Sequence, residues 1–138
     1  MQNKIGINTM YYQVKTKVII VDENGNGKKE PHTHLVEAVS WTDAEKKVNE
    51  HLEGFEFLVK GIVPTKIEYI DQSGGKNYYK CGIALVEFND KGKETQIKMQ
   101  CVFQADDIAE AQQKVMEVFK ENDIESVSIS LYKLTDIF

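Results

Sequence analysis

The sequence predicts an α+β fold made of two tandem β-β-α-β repeats, and three observations support that prediction. First, the segment that begins at Tyr11 resembles the segment that begins at Tyr78, an offset of 78 − 11 = 67 that holds without a gap to Phe138. Second, each copy opens with alternating apolar and polar residues, as in a half-buried strand. Third, each copy contains one stretch with apolar residues at helical spacing. One helix for three strands covers one face of a sheet, which predicts a two-layer antiparallel or mixed sheet with both helices on one face.

The first predicted strand of copy one runs from Tyr11 to Val21. Asn-Gly at residues 24–25 and Lys-Gly at residues 91–92 then supply turn chemistry in the two copies, because glycine accepts a positive φ. A second strand follows each turn. These two strands predict a β-hairpin at the start of each repeat.

The helices are predicted to begin at Ser40 and Asp107 as N-cap residues. An acidic residue three positions later, Asp43 or Glu110, completes a capping-box arrangement. A third strand closes each copy and is clearest in residues 126–134. The proline at the matching place in copy one, Pro64, indicates an edge strand or a bulge.

We therefore predict repeats over residues 11–71 and 78–138, a linker over 72–77 and an N-terminal extension over 1–10, with both repeats in one domain. A ββαβ unit alone buries little core. We expect the copies to join as a six-stranded sheet or as two abutting three-stranded sheets. Self-association through the open sheet face or a strand edge would make the protein a homo-oligomer.

Composition excludes several classes of function. The net charge is −5, all 17 basic residues are lysine, and no apolar run is long enough to span a membrane. The absence of arginine weakens the case for bidentate phosphate or guanine recognition. The first ten residues lack an apolar signal, which predicts a cytoplasmic protein. No nucleophile, phosphate-loop or dinucleotide motif is present, so we expect neither an enzyme nor a cofactor.

Three segments, "YYQVK", "KKEPHTHLVEAVSWTDAEKKV" and "YYKC", resemble an uncharacterised domain family of gut Bacteroidetes and their phages, including crAss-like phages. The resemblance covers most of the chain from Tyr11 and suggests Met10 as the natural start. His32-Thr33-His34 varies within the shared segment. The matching residues occupy cap, turn and core positions, so the resemblance implies a phage or mobile-element context and no activity.

The two histidines of the shared segment are the first candidate site. The offset of 67 places His32 on Met99 and His34 on Cys101, so the imidazoles should project toward the face that is core in copy two. A buried hydrogen bond, a ligand pocket or partner interface, and a Zn or Cu(I) site remain open. No metal-ligand spacing supports the last, so no metal is predicted. The possible pocket or interface residues are His32, His34, Trp41, Met99 and Cys101.

The sheet face opposite the helices is the second candidate site, because it collects lysine and tyrosine while nine of the 22 acidic residues lie in the predicted helices and their approaches. Aromatic rings that stack on bases, with lysines along the phosphates, bind single-stranded nucleic acid. A solvated strand face has the same composition, which leaves the ordinary alternative open. The nucleic-acid or partner-binding residues are Tyr11, Lys15, Lys17, Tyr78, Lys80, Lys98 and Tyr132.

These observations predict a non-catalytic accessory binding protein of a phage or mobile element that associates with single-stranded nucleic acid. One alternative is a counter-defence protein that sequesters a nucleotide signal or blocks a host protein. Another is a structural virion component. A host protein is therefore a possible partner, and a membrane is not.

Overall fold

The computed structural model describes residues 3–4 and 9–138. Within those residues the fold is α+β, with two helices and nine strands in two mixed sheets. The strands are β1 (Asn3–Lys4), β2 (Met10–Val21), β3 (Gly27–Ala38), β4 (Glu56–Pro64), β5 (Ile67–Asp71), β6 (Asn77–Phe88), β7 (Glu94–Ala105), β8 (Asp123–Tyr132) and β9 (Asp136–Ile137). The helices are α1 (Trp41–His51) and α2 (Ile108–Val118). Neither helix in this described part is long and apolar enough to cross a bilayer.

The helix starts follow the predicted capping chemistry in both repeats. The side chain of Ser40 accepts a hydrogen bond from the Asp43 backbone N–H at 3.1 Å. Asp107 accepts the equivalent bond from Glu110 at 2.8 Å. Asp43 also accepts from the backbone N–H of Val39 at 3.0 Å, which satisfies a further donor at the helix start. The caps are local in sequence, and this explains why they could be predicted.

The chain divides into two compact units that do not follow the repeat boundaries. Among the described residues, the first unit contains residues 9–65 and Leu134–Phe138, and the second contains residues 3–4 and Lys66–Lys133. Each unit therefore takes the last strand of the other repeat. The predicted extension over residues 1–10 lies mostly outside the described residues, except that β1 pairs with β5 and that Met10 begins β2.

The first unit has a four-stranded sheet in the order β4-β2-β3-β9. Its antiparallel part, β4-β2-β3, comes from the first repeat, while β9 pairs with β3 in parallel. Strand β4 lies at an edge and has a bulge opposite Lys15 and Thr16, as Pro64 indicated. Helix α1 packs on one face, and Ala44 and Val48 of this helix are fully buried. The core residues are Tyr12, Val14, Val18, Val36, Ala38, Ala44, Val48 and Leu52.

The second unit has a five-stranded sheet in the order β1-β5-β7-β6-β8. Strands β7-β6-β8 come from the second repeat, and β5 of the first repeat pairs with β7 in parallel. Helix α2 covers one face of the sheet. The core residues are Tyr69, Tyr79, Cys81, Ile83, Leu85, Cys101, Phe103, Ala105, Ala111, Val115 and Phe119.

The prediction of a single six-stranded sheet, or of two three-stranded sheets, was wrong in its strand count. The residues after each predicted third strand form one further strand, and that strand pairs in the other repeat's sheet. The two exchanged strands are equivalent. Tyr69 pairs with Cys101, and Asp136 pairs with His34. Asp136 lies 67 residues after Tyr69, and Cys101 lies 67 residues after His34, so the two pairings are related by the repeat offset. The duplication therefore extends to the exchange itself.

Candidate functional site

Four of the predicted binding residues lie on the helix-free face of the second unit's sheet. Directly opposed residues share a face, and Tyr78 opposes Tyr132 while Ala84 opposes Lys98. Lys80 lies two residues after Tyr78 on the same strand and so points to the same side. The neighbouring residues Tyr79 and Cys81 face the core under α2.

A groove of about 560 Å³ crosses this face over β5, β7, β6 and β8. Its floor is formed by the two small residues Gly82 and Ala84 of the central strand β6. The residues around the groove are Lys66, Glu68, Ile83, Lys98, Met99, Gln100, Ser126, Val127 and Ser128. Two lysines, one carboxylate, one amide and two hydroxyls thus surround a floor without large side chains. We call this feature the second-unit groove.

The floor of the groove is low because residue 82 is glycine. A Cβ built on Gly82 would lie 2.8 Å from the Ser128 hydroxyl oxygen, closer than side chains normally approach. That hydroxyl oxygen lies 3.5 Å from the Gly82 carbonyl oxygen, to which it donates. Any larger residue at position 82 would displace the Ser128 side chain and raise the floor.

The tyrosine beside the groove is already engaged within the unit. The Lys80 ammonium lies 4.4 Å from the centre of the Tyr132 ring, a cation–π distance. Burial raises the pKa of Tyr132 to about 12, so its hydroxyl is protonated at neutral pH. One face of this ring is therefore occupied by a lysine of the same sheet.

The remaining predicted binding residues belong to the first unit, and the prediction for Tyr11 as a surface residue was wrong. Tyr11 is only 6% exposed. Burial raises the pKa of Tyr11. The negative charge of Glu37 and its hydrogen bond with the Tyr11 side chain raise this pKa further. Lys15 and Lys17 are exposed on the helix-free face of this unit. Alternation alone placed Tyr11 on that face but could not show that it is covered.

The predicted histidines lie on the helix-facing side of the first unit's sheet, and they form part of a polar cluster. His34 is fully buried, its Nδ1 lies 2.6 Å from Oδ1 of Asp136, and its Nε2 lies 2.8 Å from the Thr16 hydroxyl. Nε2 of His51 lies 2.9 Å from the other Asp136 oxygen. We call Thr16, His34, His51 and Asp136 the histidine–aspartate cluster.

The proton positions in the cluster follow from the chemistry of its members. An ionised carboxylate only accepts, so Nδ1 of His34 and Nε2 of His51 both donate to Asp136. Nε2 of a neutral His34 then accepts from the Thr16 hydroxyl. Burial acts to raise the pKa of Asp136, but the hydrogen bonds from both imidazoles outweigh it and hold the pKa below its usual value.

The phenyl ring of Phe138 closes the cluster. It stacks on the His51 ring with centroids 3.8 Å apart and meets the His34 ring edge-on at 5.8 Å. The Phe138 backbone N–H donates to Leu35 at 2.9 Å, and its carbonyl accepts from Glu37 at 2.8 Å. Side chains and backbone together fasten the exchanged strand β9 to the first unit.

The histidine–aspartate cluster has the connectivity of a hydrolase triad, but a substrate cannot reach its hydroxyl group. A hydroxyl, an imidazole and a carboxylate lie in sequence, as in nucleophilic catalysis. Thr16, however, is 1% exposed and His34 is fully buried, so a substrate has no approach to the hydroxyl. This arrangement anchors a strand. It is not an open site.

The second unit fills the equivalent positions with apolar or aromatic residues. The repeat offset of 67 aligns Thr16 with Ile83, His34 with Cys101 and His51 with Val118. It aligns Asp136 with Tyr69. Tyr69, Ile83 and Cys101 are core residues there. All four polar residues of the cluster are thus absent together from the sister unit, which indicates that they act as one set.

The five predicted pocket or interface residues are divided between the units. His32, half-buried, lies 5.9 Å from His34 between ring centroids, and Trp41 is 53% exposed with its ring edge-on to Tyr12. These residues belong to the first unit. Met99 and Cys101 belong to the second unit, where Cys101 is in the core. Across residues 3–4 and 9–138, no group of three or more His, Cys, Asp or Glu side chains is arranged to hold a metal ion.

Sequence reasoning missed His51 and Asp136, as well as the second-unit groove. His51 lies on α1 and Asp136 on β9, so neither lies near His34 in sequence. The offset of 67 contained a usable signal, because both residues have uncharged partners in the other copy. The groove depends on small residues, and the pattern of alternation ignores side-chain size.

Fold and site define the chain as a duplicated α+β protein with a polar groove on one sheet. It belongs to the family described as "Domain of unknown function (DUF4494)", whose model matches residues 10–138. The resemblance to an uncharacterised domain family is confirmed by that match. No curated protein and no solved structure matches the chain.

Proposed function

We propose that the protein is a non-catalytic accessory binding protein that holds single-stranded nucleic acid in the second-unit groove. The groove itself is the observation that carries this proposal. The setting we propose is the cytoplasm of a bacterium that carries a phage or mobile element, as the sequence resemblance implies.

The shape of the groove supports a flat ligand. Its floor consists of the backbone at Gly82 and the methyl group of Ala84, so a planar base can approach the sheet closely. Neighbouring strands lie about 4.8 Å apart, so a groove over four strands spans roughly 14 Å, enough for two or three nucleotides of an extended strand.

The charges around the groove support an anionic ligand. Lys66 is exposed just before β5 and Lys98 is exposed on β7, while Gln100, Ser126 and Ser128 offer neutral hydrogen-bonding groups. Lysine acts as a mobile point charge and recognises phosphate without fixed geometry. The chain has no arginine, so we expect tolerance of sequence and a strong dependence on salt.

The test is a titration of labelled single-stranded oligonucleotides by fluorescence polarisation at low salt. Replacing both groove lysines, Lys66→Glu with Lys98→Glu, should weaken binding by at least about 10-fold, because two phosphate contacts become repulsive. The matched control is Lys91→Glu with Lys93→Glu, the same change of charge in the turn between β6 and β7. The control should change affinity by no more than about 3-fold.

A third variant tests the single acidic side chain of the groove. Glu68→Gln removes a carboxylate that repels phosphate, so it should tighten binding several-fold without altering the fold, since Glu68 is exposed. Absence of binding at low salt would overturn the proposal. So would an equal loss of affinity in the groove variant and in the turn control.

A further inference from the structure

Strand β8 lies at the edge of the second unit's sheet. Among the described residues its strand neighbour is β6, and no strand pairs with its other side. Alternate residues of such a strand direct their backbone N–H and C=O groups outward. Natural edge strands normally carry features that prevent another strand from adding to them.

One edge strand of the first unit, β4, shows such protection. Strand β4 has an exposed lysine, Lys60, at its bulge, followed by Gly61, and it ends at Pro64. A bulge, a charge and a proline each disfavour pairing with another strand. Strand β4 is therefore protected against pairing with a further strand, although it carries exposed apolar residues.

Strand β8 lacks this protection over residues 126–131. This segment reads S-V-S-I-S-L, without charge, proline or glycine. It is regularly paired with β6, and the one irregularity of that pairing, between Ala84 and Leu85, falls before it. Leu131 is 52% exposed on the side of the sheet that α2 covers. The structure therefore leaves a regular, uncharged edge open.

We infer that β8 pairs antiparallel with β8 of a second copy of this chain, about a two-fold axis at Ser128. The inference rests on the edge strand and does not depend on the proposed function. In this register, Ser126 opposes Ser130 of the second copy and Val127 opposes Ile129. Every opposed pair within residues 126–130 is then hydroxyl with hydroxyl or apolar with apolar, which is favourable on both faces.

Charge selects a second copy in the antiparallel direction. The approach to β8 and its first residues are acidic, with Glu121, Asp123 and Glu125, while the residue after the strand is Lys133. Antiparallel pairing brings the acidic end of one strand to Lys133 of the other, in two equivalent places. Parallel pairing would bring acidic ends together. An isologous two-fold contact of this kind is the commonest dimer arrangement.

The pairing would join two five-stranded sheets into a ten-stranded sheet. Ser126 and Ser128 border the second-unit groove, so the grooves of the two copies would lie next to each other on one helix-free face. A dimer would thus present a continuous polar surface about twice as wide as that of one chain.

The first experiment is sedimentation velocity and native mass spectrometry of the full chain over a range of concentrations. The wild type should form a dimer. Asp123→Lys and Lys133→Glu should each weaken the dimer by about 10-fold, because two attractive contacts become repulsive in each. An equimolar mixture of the two variants should restore affinity as a heterodimer. Both residues are exposed, so the fold should be unaffected.

The second experiment tests the register by oxidation. Ser128→Cys should form a disulfide-linked dimer under mild oxidation, because the two residues meet at the axis. Ser130→Cys is the matched control and should not, since its copies would lie about four residues apart along the strands. A monomer at all concentrations, a dimer indifferent to both charge variants, or faster linkage through Ser130→Cys would overturn the inference.

Discussion

Removing the carboxylate of Asp136 should lower the free energy of unfolding by about 2 to 3 kcal/mol. The Asp136→Ala substitution leaves the Nδ1–H group of His34 without a partner, and His34 is fully buried. An unsatisfied buried donor costs roughly 1 to 3 kcal/mol, and bonds to a charged acceptor lie in the upper part of that range. The bond from His51 adds less, because the His51 side chain is 38% exposed.

Thermal unfolding followed by circular dichroism measures this loss. A fall in Tm of roughly 6 to 9 °C is expected if the chain unfolds in one step. Asp136→Asn should cost less, since its amide can still accept from His34 and donate to His51. Asp90→Ala, which changes an exposed aspartate in the β6–β7 turn, is the control and should be close to neutral. Equal stability of Asp136→Ala and Asp90→Ala would refute the reasoning.

The same residue predicts a dependence on pH whose sign is determined by the direction of its shift. The pKa of Asp136 is lower in the folded chain than its usual value of 3.8. Its contribution is therefore complete above that value and is lost as the pH falls through the folded pKa. The wild type should lose stability below about pH 4 more steeply than Asp136→Asn. Parallel acid unfolding curves for the two proteins would contradict this.

Three further predictions concern the caps, the thiols and the exchanged strand. Ser40→Ala should cost about 1 kcal/mol in urea unfolding, and a similar loss is expected for Asp107→Ala, because each removes a helix cap. Cys81 and Cys101, whose pKa values burial raises to about 11 and about 12, should react with a thiol reagent at pH 8 only after unfolding; rapid labelling of the native protein would contradict this. Deleting residues 134–138 should reduce hydrogen-exchange protection in residues 9–65 and spare β6 and β7.

The elements of each repeat could be predicted because their signals are local. Alternation located β2, and Ser40 and Asp107 marked the helix starts, each through residues no more than a few positions apart. The duplication strengthened these predictions, since the same pattern occurred twice. Pro64 indicated the edge position of β4 for a similar reason: a missing backbone donor restricts a strand regardless of the rest of the fold.

The strand exchange could not be predicted, because pairing partners far apart leave no local pattern. Residues 67–71 and 134–138 look like the ends of a third strand in the sequence, and only the three-dimensional pairing separates them. The histidine–aspartate cluster could not be predicted for the same reason. The alternation placed His34 on the correct face, but its partner Asp136 lies 102 residues away.

The exchanged strand β9 has a consequence for synthesis of the chain. The second unit needs no residue beyond Lys133. Its strand β5 is synthesised before β6, β7 and β8. The first unit, in contrast, waits for Leu134–Phe138, so Leu35 and His34 lack their final partners while the ribosome makes the following hundred residues. Chain order and folding order are therefore reversed: the half that is translated first is completed last. A pause or truncation late in translation would leave an open strand edge in the earlier half of the protein.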